Sequence, residues 1–321
     1  MKIKDLELNQ LETITLAVKS ATARETRAKK PYLFLEFYDG TDTICGNYWD
    51  WAGANIPPKN AILDVKAQVA EWKGAKQLNI KGMSTNKTMQ LSDFAPTSTL
   101  DVGKIYKDAY ALMSSVTDEF LRSLAMSLLE EMMEAWLTVP GAKGIHHAYK
   151  GGTLIHSYSV ACIAKAMAMQ IPGANVDLCT VGGMLHDIGK LYTYSLDGVT
   201  IDMTDEGMLY DHLFMGAEFI GNYADSHYNL TEESSAKIEM LRHILLSHHG
   251  RHEYGAVVNP LSIEAHIVYH ADAVDVEAEE VRESSAKVGN VKWTERIWAL
   301  ENRPHLTTQY VRGLMKHPSA E

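Results

Sequence analysis

The segment Gly183-Met-Leu-His-Asp-Ile-Gly-Lys190 places a histidine and an aspartate side by side at the end of a helical pattern. The apolar positions of this predicted helix are Leu178, Val181 and Leu185. Gly189 is predicted to end the helix, because a glycine commonly follows the last helical residue. An imidazole and a carboxylate in such apolar surroundings need partners, so the doublet His186-Asp187 indicates a functional site.

Four further segments with helical patterns each carry a side chain that can bind a metal ion. These side chains are His156, His212, His248 and Asp272. A lone histidine on an apolar helix face is usually a hydrogen-bonded core residue, but five such segments in one region are hard to explain in that way. One or two shared divalent cations would satisfy all of these imidazoles and carboxylates at once. The pattern therefore predicts a metal centre.

The order of these residues resembles that of the HD-domain phosphohydrolase superfamily, which has a first histidine, a His-Asp doublet and a distant aspartate. Members with two metal ions have two more histidines between the doublet and the last aspartate. The resemblance implies that the ligands are His156, His186, Asp187, His212, His248 and Asp272. Position in the series would make Asp187 the carboxylate that bridges two ions. Imidazole and oxygen ligands suit Mn, Fe, Co or Zn, of which we expect Mn²⁺.

Several residues beside this series are candidates for binding the substrate. Lys190 follows His186 by about one helical turn and could share the charge of a scissile phosphate, unless it is only a cation at a helix end. Arg251 could contact a second phosphate or be a solvated loop charge, and His147 could shape the entrance. His249 lies about 100° around the helix from His248. It could donate a hydrogen bond behind a ligand, be a further ligand, or contact the substrate.

The first 95 residues predict short strands, because β-branched and aromatic residues alternate with polar ones between turn signals. The expected strands are residues 32–38, 45–51, 61–72 and 77–81, with tight turns at Asp39-Gly40 and Lys73-Gly74. Four or five strands in so short a segment suggest a small barrel of the OB type. The fold class is therefore α+β, with an OB-type barrel (residues 1–92), a linker (93–110) and an all-α domain (111–321).

Aromatic residues of the predicted barrel are candidates for stacking on nucleic-acid bases. One side of the strand 32–38 carries Tyr32, Phe34 and Tyr38, and the other carries Leu33, Leu35 and Phe37. One of these sides must be core. Phe34 and Trp49 are the proposed base contacts, with burial in the barrel core as the alternative for each.

The formal charge of −11 argues against indiscriminate binding of nucleic acid, but the charge is uneven along the chain. Residues 1–95 hold 13 Lys and Arg against 11 Asp and Glu, and the remainder holds 17 against 30. Cys45, Cys162 and Cys179 are isolated, which gives no sign of a disulfide framework. Because the sequence has neither a signal-peptide pattern nor a long apolar run, we expect a cytoplasmic protein with no membrane partner.

Three segments extend the resemblance to nearly the full length of the chain. They are HHAYKGG (residues 146–152), HDIGK (186–190) and LSHHGRHEYG (246–255). Together with an N-terminal OB-type barrel they look like the YhaM family of bacterial 3'-5' exoribonucleases. That family usually has an acidic residue just before the first metal-binding histidine, where this chain has Ile155. The departure could alter the metal preference.

The resemblance implies an exonuclease that trims single-stranded RNA, and also DNA or short oligonucleotides, from the 3' end by means of a metal-activated water. One alternative is an HD-domain phosphohydrolase of nucleotides or cyclic dinucleotides, with the barrel as a regulatory module. A second alternative is a non-catalytic single-strand-binding protein with a structural metal site, which would be expected to have lost ligands. Assembly into a homo-oligomer is compatible with each of these.

Overall fold

The computed structural model describes residues 1–53, 55–94, 100–143 and 147–314. Two compact units make up the chain. The first contains Met1–Thr97 and Leu196–Asp202, and the second contains Ser98–Ser195 and Met203–Glu321. The first unit is built on β-strands and the second on α-helices, as the sequence predicts.

Five strands of the first unit form a closed barrel. They are β1 (Leu11–Glu25), β2 (Pro31–Tyr38), β3 (Thr43–Tyr48), β4 (Ile62–Trp72) and β5 (Ala75–Thr85). The order around the barrel is β1-β2-β3-β5-β4, and β4 closes on β1. β3 and β5 are parallel, whereas the other neighbours are antiparallel. A five-stranded barrel with this order is OB-like, which confirms the predicted fold class.

The alternation in β2 decides which side of the barrel wall is core. Leu33, Leu35 and Phe37 are fully buried in the barrel, while Tyr32 and Phe34 are only half-buried on the outer side. The core side of this strand, which the sequence left open, is therefore the side of Leu33, Leu35 and Phe37. The long strand β1 was not predicted individually. It pairs with both β2 and β4 and carries a bulge near Val18, which lets one strand serve two neighbours of a curved sheet.

A short hairpin from the middle of the chain completes the first unit. It consists of β6 (Tyr194–Asp197) and β7 (Thr200–Met203), whose residues Leu196–Asp202 belong to the barrel unit. Val199 is buried with Ala17 and Phe94. Lys59 Nζ lies 2.8 Å from Asp202 Oδ2. The barrel unit therefore extends beyond the predicted limit of residue 92 and includes this distant segment.

Helices form the second unit. They are α1 (Val102–Ser114), α2 (Glu119–Glu131), α3 (Met133–Thr138), α4 (Gly152–Ala168), α5 (Val176–Leu185), α6 (Lys190–Thr193), α7 (Asp205–His227), α8 (Glu232–Ser247), α9 (Ile263–Val288) and α10 (Thr308–Leu314). α1 begins inside the predicted linker, because the Asp101 side chain accepts a hydrogen bond from the Lys104 backbone N–H and caps the helix. Residues 95–99 of that linker lie outside the described residues. Among the residues that are described, no helix has the length and hydrophobicity needed to cross a membrane.

Close packing of α4 against α5 brings the first predicted ligand beside the His-Asp doublet. A Cβ at Gly183 would lie 2.9 Å from Ala161 Cα, and one at Gly182 would lie 2.9 Å from Ile244 Cδ1. A side chain at position 183 would thus collide with the backbone of α4, whereas one at position 182 would meet only the flexible end of the Ile244 side chain. α5 ends at Leu185, earlier than the Gly189 predicted from the sequence, so His186 and Asp187 lie in the turn that follows.

Candidate metal centre

The six predicted ligand residues converge in the interior of the helical unit. His156 comes from α4, the doublet follows α5, His212 lies in α7, His248 caps α8 and Asp272 lies in α9. Every histidine of this set is buried, and Asp187 is only 1% exposed. Helices far apart in the sequence, such as those that carry His156 and Asp272, therefore bring polar groups to one place.

The two carboxylate oxygens of Asp187 face different groups. Oδ2 lies 3.4 Å from His156 Nε2 and 3.3 Å from His186 Nε2. Oδ1 lies 3.3 Å from His212 Nε2 and 3.6 Å from His248 Nε2. Asp187 therefore lies between two sets of imidazoles, and its role as a bridge between two metal ions stays a prediction.

Each of the four imidazoles is anchored through Nδ1. His186 Nδ1 donates to the carbonyl oxygen of Gly183 at 2.7 Å, and His248 Nδ1 donates to that of Leu245 at 2.8 Å. The other two anchors are carboxylates: Asp275 Oδ2 lies 2.7 Å from His156 Nδ1, and Asp211 lies against His212 Nδ1. Because a carbonyl oxygen can only accept, Nδ1 must carry the proton in His186 and His248, which leaves the Nε2 lone pair available to a metal ion.

The second set of imidazoles gains a member that the sequence left undecided. His249 lies with His212 and His248 so that one ring nitrogen of each falls within 4.8 Å of the others. Burial, aided by the neighbouring His248, lowers the pKa of His249 to about 4, so the imidazole is neutral near pH 7. Of the three roles open to His249, this geometry favours that of a further ligand.

Unsatisfied buried atoms test whether the residues fit a metal ion. Within the described part of the chain, the buried atoms Asp187 Oδ1, His212 Nε2 and His249 Nδ1 have no hydrogen-bond partner. Leaving a buried polar atom unpaired costs about 1–3 kcal/mol. Two of the atoms belong to imidazoles on the Oδ1 side of Asp187, and the third is Oδ1 itself. Nitrogen and carboxylate oxygen atoms of this kind are metal ligands. The residues therefore fit a divalent cation.

Electrostatics keep the central carboxylates ionised. Burial alone would raise the pKa of Asp187, but the Lys190 ammonium, whose Nζ lies 2.7 Å from Oδ2, and the neighbouring histidines hold it well below its usual range. Asp272 shows the same balance, with His156 opposing the effect of burial. Both groups are thus anionic at neutral pH and attract cations.

His156 has the opposite shift. Burial acts to lower its pKa, but hydrogen bonds with Asp187, Asp272 and Asp275 outweigh burial and raise the pKa well above the usual value. A proton on this imidazole and a cation among the same carboxylates compete for one lone pair, so the affinity for metal should fall as the pH falls.

The predicted substrate contacts of the helical unit have different environments in the structure. Lys190 is mostly buried in its ion pair with Asp187, at the centre rather than at its edge. Arg251 is exposed, and its guanidinium lies 3.1 Å from Glu253. The side chain of His147 is buried, with Nε2 against Asp275 and Nδ1 against the Tyr149 hydroxyl, and its predicted role near the substrate stays a prediction. His146 lies outside the described residues.

Two carboxylates of the centre were not found in the sequence. Asp275 lies one helical turn beyond Asp272 on α9 and has no place of its own in the ligand series. Asp211 interrupts α7 with a φ of +61°, a conformation that non-glycine residues rarely adopt. Ile155, which replaces the usual acidic residue of the resembled family, is buried. It supplies no polar group to the centre.

The outer side of the barrel carries the aromatic candidates. The Arg24 guanidinium lies 3.8 Å from the centre of the Phe34 ring. The rings of Tyr32 and Trp49 are 4.6 Å apart, and the Trp49 indole N–H donates to Asn79 Oδ1 at 3.3 Å. Phe34 and Trp49 are thus outside the core, which favours the predicted contact role over the alternative of burial.

One family model and several solved structures resemble parts of this chain. Residues 153–277 match the family model for the HD domain. The chain is also similar to the crystal structure of a domain of replication protein A from Methanococcus maripaludis, with 24% identity over 26% of this chain and 92% of that chain, at a TM-score of 0.24. The solution structure of the second OB-fold domain of the same protein matches at 19% identity over 28% of this chain and 98% of that one, with a TM-score of 0.23.

A third solved structure is also similar to part of the chain. The crystal structure of the HD domain of the L. monocytogenes phosphodiesterase PgpH is 20% identical over 48% of this chain and 73% of that chain, with a TM-score of 0.30. The family match confirms the predicted HD domain, and the described residues supply His and Asp clusters able to hold divalent metal ions.

Proposed function

We propose that this chain is a metal-dependent phosphodiesterase that degrades single-stranded nucleic acid, RNA in particular, from the 3' end. The observation that carries the proposal is the position of Asp187, whose two oxygens face two separate sets of imidazoles. A carboxylate with this geometry can hold two cations close together, the arrangement that enzymes use for in-line attack on phosphate esters.

The ligands fall into two sets. We assign His156, His186 and Asp272 to one ion and His212, His248 and His249 to the other, with Asp187 shared. Two divalent cations, Mn²⁺ in our proposal, would activate a water molecule and bind the phosphate oxygens. Fe, Co or Zn would also suit these ligands.

Side chains of the protein provide the charges and the ligand orientation that this chemistry needs. Asp187 is held ionised, and the Nδ1 anchors hold the imidazoles with Nε2 directed inward. Lys190 keeps a positive charge beside Asp187, because the attraction of that carboxylate outweighs burial and raises the pKa of the lysine. An ammonium so placed would stabilise negative charge that develops on a scissile phosphate.

The substrate class rests on the barrel and on the sequence resemblance. Phe34, under the Arg24 guanidinium, and the Tyr32–Trp49 pair offer ring faces and a positive charge to a single strand. The preference for RNA and the 3'-5' polarity come from the three segments that resemble the YhaM family. Arg251, exposed in the loop after His249, is a further candidate for a phosphate contact.

One digestion series tests this proposal. Metal-free protein is given Mn²⁺, Co²⁺, Zn²⁺ or Mg²⁺ and incubated with single-stranded RNA and DNA labelled at either the 5' or the 3' end. We expect a ladder of shortening products from the 5'-labelled RNA and immediate release of labelled mononucleotide from the 3'-labelled RNA. Release of labelled mononucleotide from the 5'-labelled RNA as the first product, before any ladder forms, would contradict the polarity.

The same series includes free nucleotides and cyclic dinucleotides as competing substrates. Faster turnover of these than of the oligonucleotide would favour the small-molecule phosphohydrolase. Strand binding that survives chelation, with no product under any metal, would instead favour a non-catalytic binding protein.

A further inference from the structure

A buried carboxylate stands behind the first ligand of the centre. Asp275 lies on α9, one turn beyond Asp272, and its Oδ2 atom forms hydrogen bonds with two histidines. His156 Nδ1 lies 2.7 Å from it and His147 Nε2 lies 3.1 Å from it. A carboxylate oxygen in this position accepts a hydrogen bond from each of the two imidazoles.

His147 is itself held in a shape that the surrounding chain enforces. Its φ of +57° is left-handed, which costs a non-glycine residue about 1–2 kcal/mol. A Cβ on Gly141 would lie 2.8 Å from His147 Cβ, and one on Gly152 would lie 2.0 Å from its carbonyl oxygen. The backbone N–H of Gly141 donates to that oxygen at 2.9 Å. Gly141 and Gly152 thus pack closely against the backbone of His147, and side chains at these two positions would not fit.

The imidazole of His147 lies between two hydrogen-bond partners, Tyr149 and Asp275. Its Nδ1 lies 2.8 Å from the Tyr149 hydroxyl, and its Nε2 lies on Asp275. Because the Asp275 carboxylate accepts the hydrogen bond, Nε2 is the donor nitrogen of His147, and Nδ1 accepts the hydrogen bond from Tyr149. The hydrogen bonds run from the Tyr149 hydroxyl through His147 and Asp275 to His156.

We propose that Asp275 is a positioning residue for the metal centre, held in place by His147 and Tyr149. This inference rests on the proposed metal-dependent function. Asp275 keeps the proton of His156 on Nδ1 and turns Nε2 toward Asp187 and Asp272. It differs from the carbonyl anchors of His186 and His248 because an anionic partner makes an imidazole a stronger ligand.

The test is a metal titration of the full-length protein with Asp275→Asn, since asparagine keeps the shape of the side chain and removes its charge. Metal-free protein is titrated with Co²⁺ alone, by calorimetry and by the visible absorption of the bound ion. We expect one of two ions to bind about 10- to 100-fold more weakly with an altered spectrum, the other to be unchanged, and the unfolding midpoint of the metal-free protein to remain close to that of wild type.

Glu277→Gln is the matched control, because it makes the same chemical change on the same helix at an exposed position. It should bind both ions as wild type does. If Asp275→Asn does not fold, Tyr149→Phe replaces it. The loss of that hydroxyl should weaken the same ion by a few fold.

Wild-type affinity for both ions in folded Asp275→Asn, or in Tyr149→Phe if that variant is needed, would overturn the inference. Three Co²⁺ ions per wild-type chain would also overturn it, because Asp275, His147 and His156 would then be ligands of an ion of their own. A wild-type protein that binds no ion would refute the metal-dependent function itself, which is a different result from an unaffected variant.

Discussion

The candidate functional residues of the barrel lie on its outer surface, whereas the candidate ligands of the helical unit lie in its interior. In β2 of the barrel, Leu33, Leu35 and Phe37 fill the interior while Phe34 remains on the outer wall. In the helical unit the candidate groups are inside, and Asp187 is among the most buried residues of the chain. A surface group keeps its water, whereas a buried one needs a partner for every polar atom. The interior site therefore depends on many residues, and the surface site on few.

The comparison predicts that the largest effect comes from a buried position. Asp187→Asn removes the charge that faces both sets of imidazoles and leaves Lys190 without an anionic partner at 2.7 Å. We expect hydrolysis to fall by at least about 1,000-fold, equivalent to roughly 4 kcal/mol of transition-state stabilisation. Rates with excess Mn²⁺, together with the metal content of the folded protein, measure this.

An exposed aspartate provides the control for that change. Asp225 lies on the solvent side of α7, and Asp225→Asn should retain full activity. A folded, metal-loaded Asp187→Asn protein with wild-type activity would refute both the bridging role and the contrast drawn between interior and surface.

An intermediate effect is expected on the outer wall of the barrel. Phe34→Ala removes a ring face and the partner of Arg24. Loss of one base stack costs about 1–3 kcal/mol, so affinity for a single-stranded oligonucleotide should fall by roughly 5- to 150-fold. Binding is measured with metal-free protein, and the affinity for Co²⁺ should not change.

Trp72→Ala is the matched control for the barrel wall. Trp72 is 64% exposed at the end of β4, next to the turn that leads into β5. Its replacement should leave strand binding nearly unchanged. Equal losses from both variants would mean that aromatic surface in general, rather than the surface around Phe34, holds the strand.

The smallest effect concerns Asp39, a buried carboxylate of the barrel unit. Asp39 accepts hydrogen bonds from the backbone of Ile3 at 2.6 Å, Thr41 at 2.7 Å and Asp42 at 2.8 Å. Burial would raise its pKa, but these bonds lower it below the usual 3.8. Asp39→Ala should reduce the free energy of unfolding by about 1–3 kcal/mol at pH 7.

The pH dependence of that loss follows from the direction of the shift. A pKa that is lower in the folded state stabilises the fold above about pH 4, and this contribution disappears as the pH falls through the folded-state pKa. Urea unfolding of wild type and Asp39→Ala at pH 7 and pH 3 should therefore show a smaller difference at pH 3. A difference that stays constant would show that the ionised carboxylate contributes nothing.

Local patterns predicted more of the fold than of the contacts around the site. Alternation located β2, and helical spacing located the segments that carry the six ligand residues, because both patterns follow from burial of one face. Their binding of metal stays a prediction. The extent of β1 and the hairpin at residues 194–203 were missed, since their partners are distant in sequence. α1 was missed because its cap, Asp101, follows a segment of Pro, Ser and Thr.

Residues that act through another residue were the hardest to predict. Asp275 has no spacing signal of its own, and only the fold shows that it meets His156, 119 positions earlier. His147 is predicted from its place before the Gly151-Gly152 turn to shape the entrance, and the sequence gives no sign of its hydrogen bonds with Asp275 and Tyr149. The positive φ that buries it depends on contacts with Gly141 and Gly152 that no local pattern encodes.

The hairpin that completes the barrel unit also sets a schedule for folding during synthesis. The side chains of Asn60 and Asp197, which meet in that unit, are 137 positions apart. After Thr97 leaves the ribosome, roughly 100 residues must follow before Val199 can cover Ala17 and Phe94. At about 5–20 residues per second, this leaves the patch uncovered for roughly 5–20 s. A nascent barrel is therefore exposed to aggregation until much of the helical unit has been made.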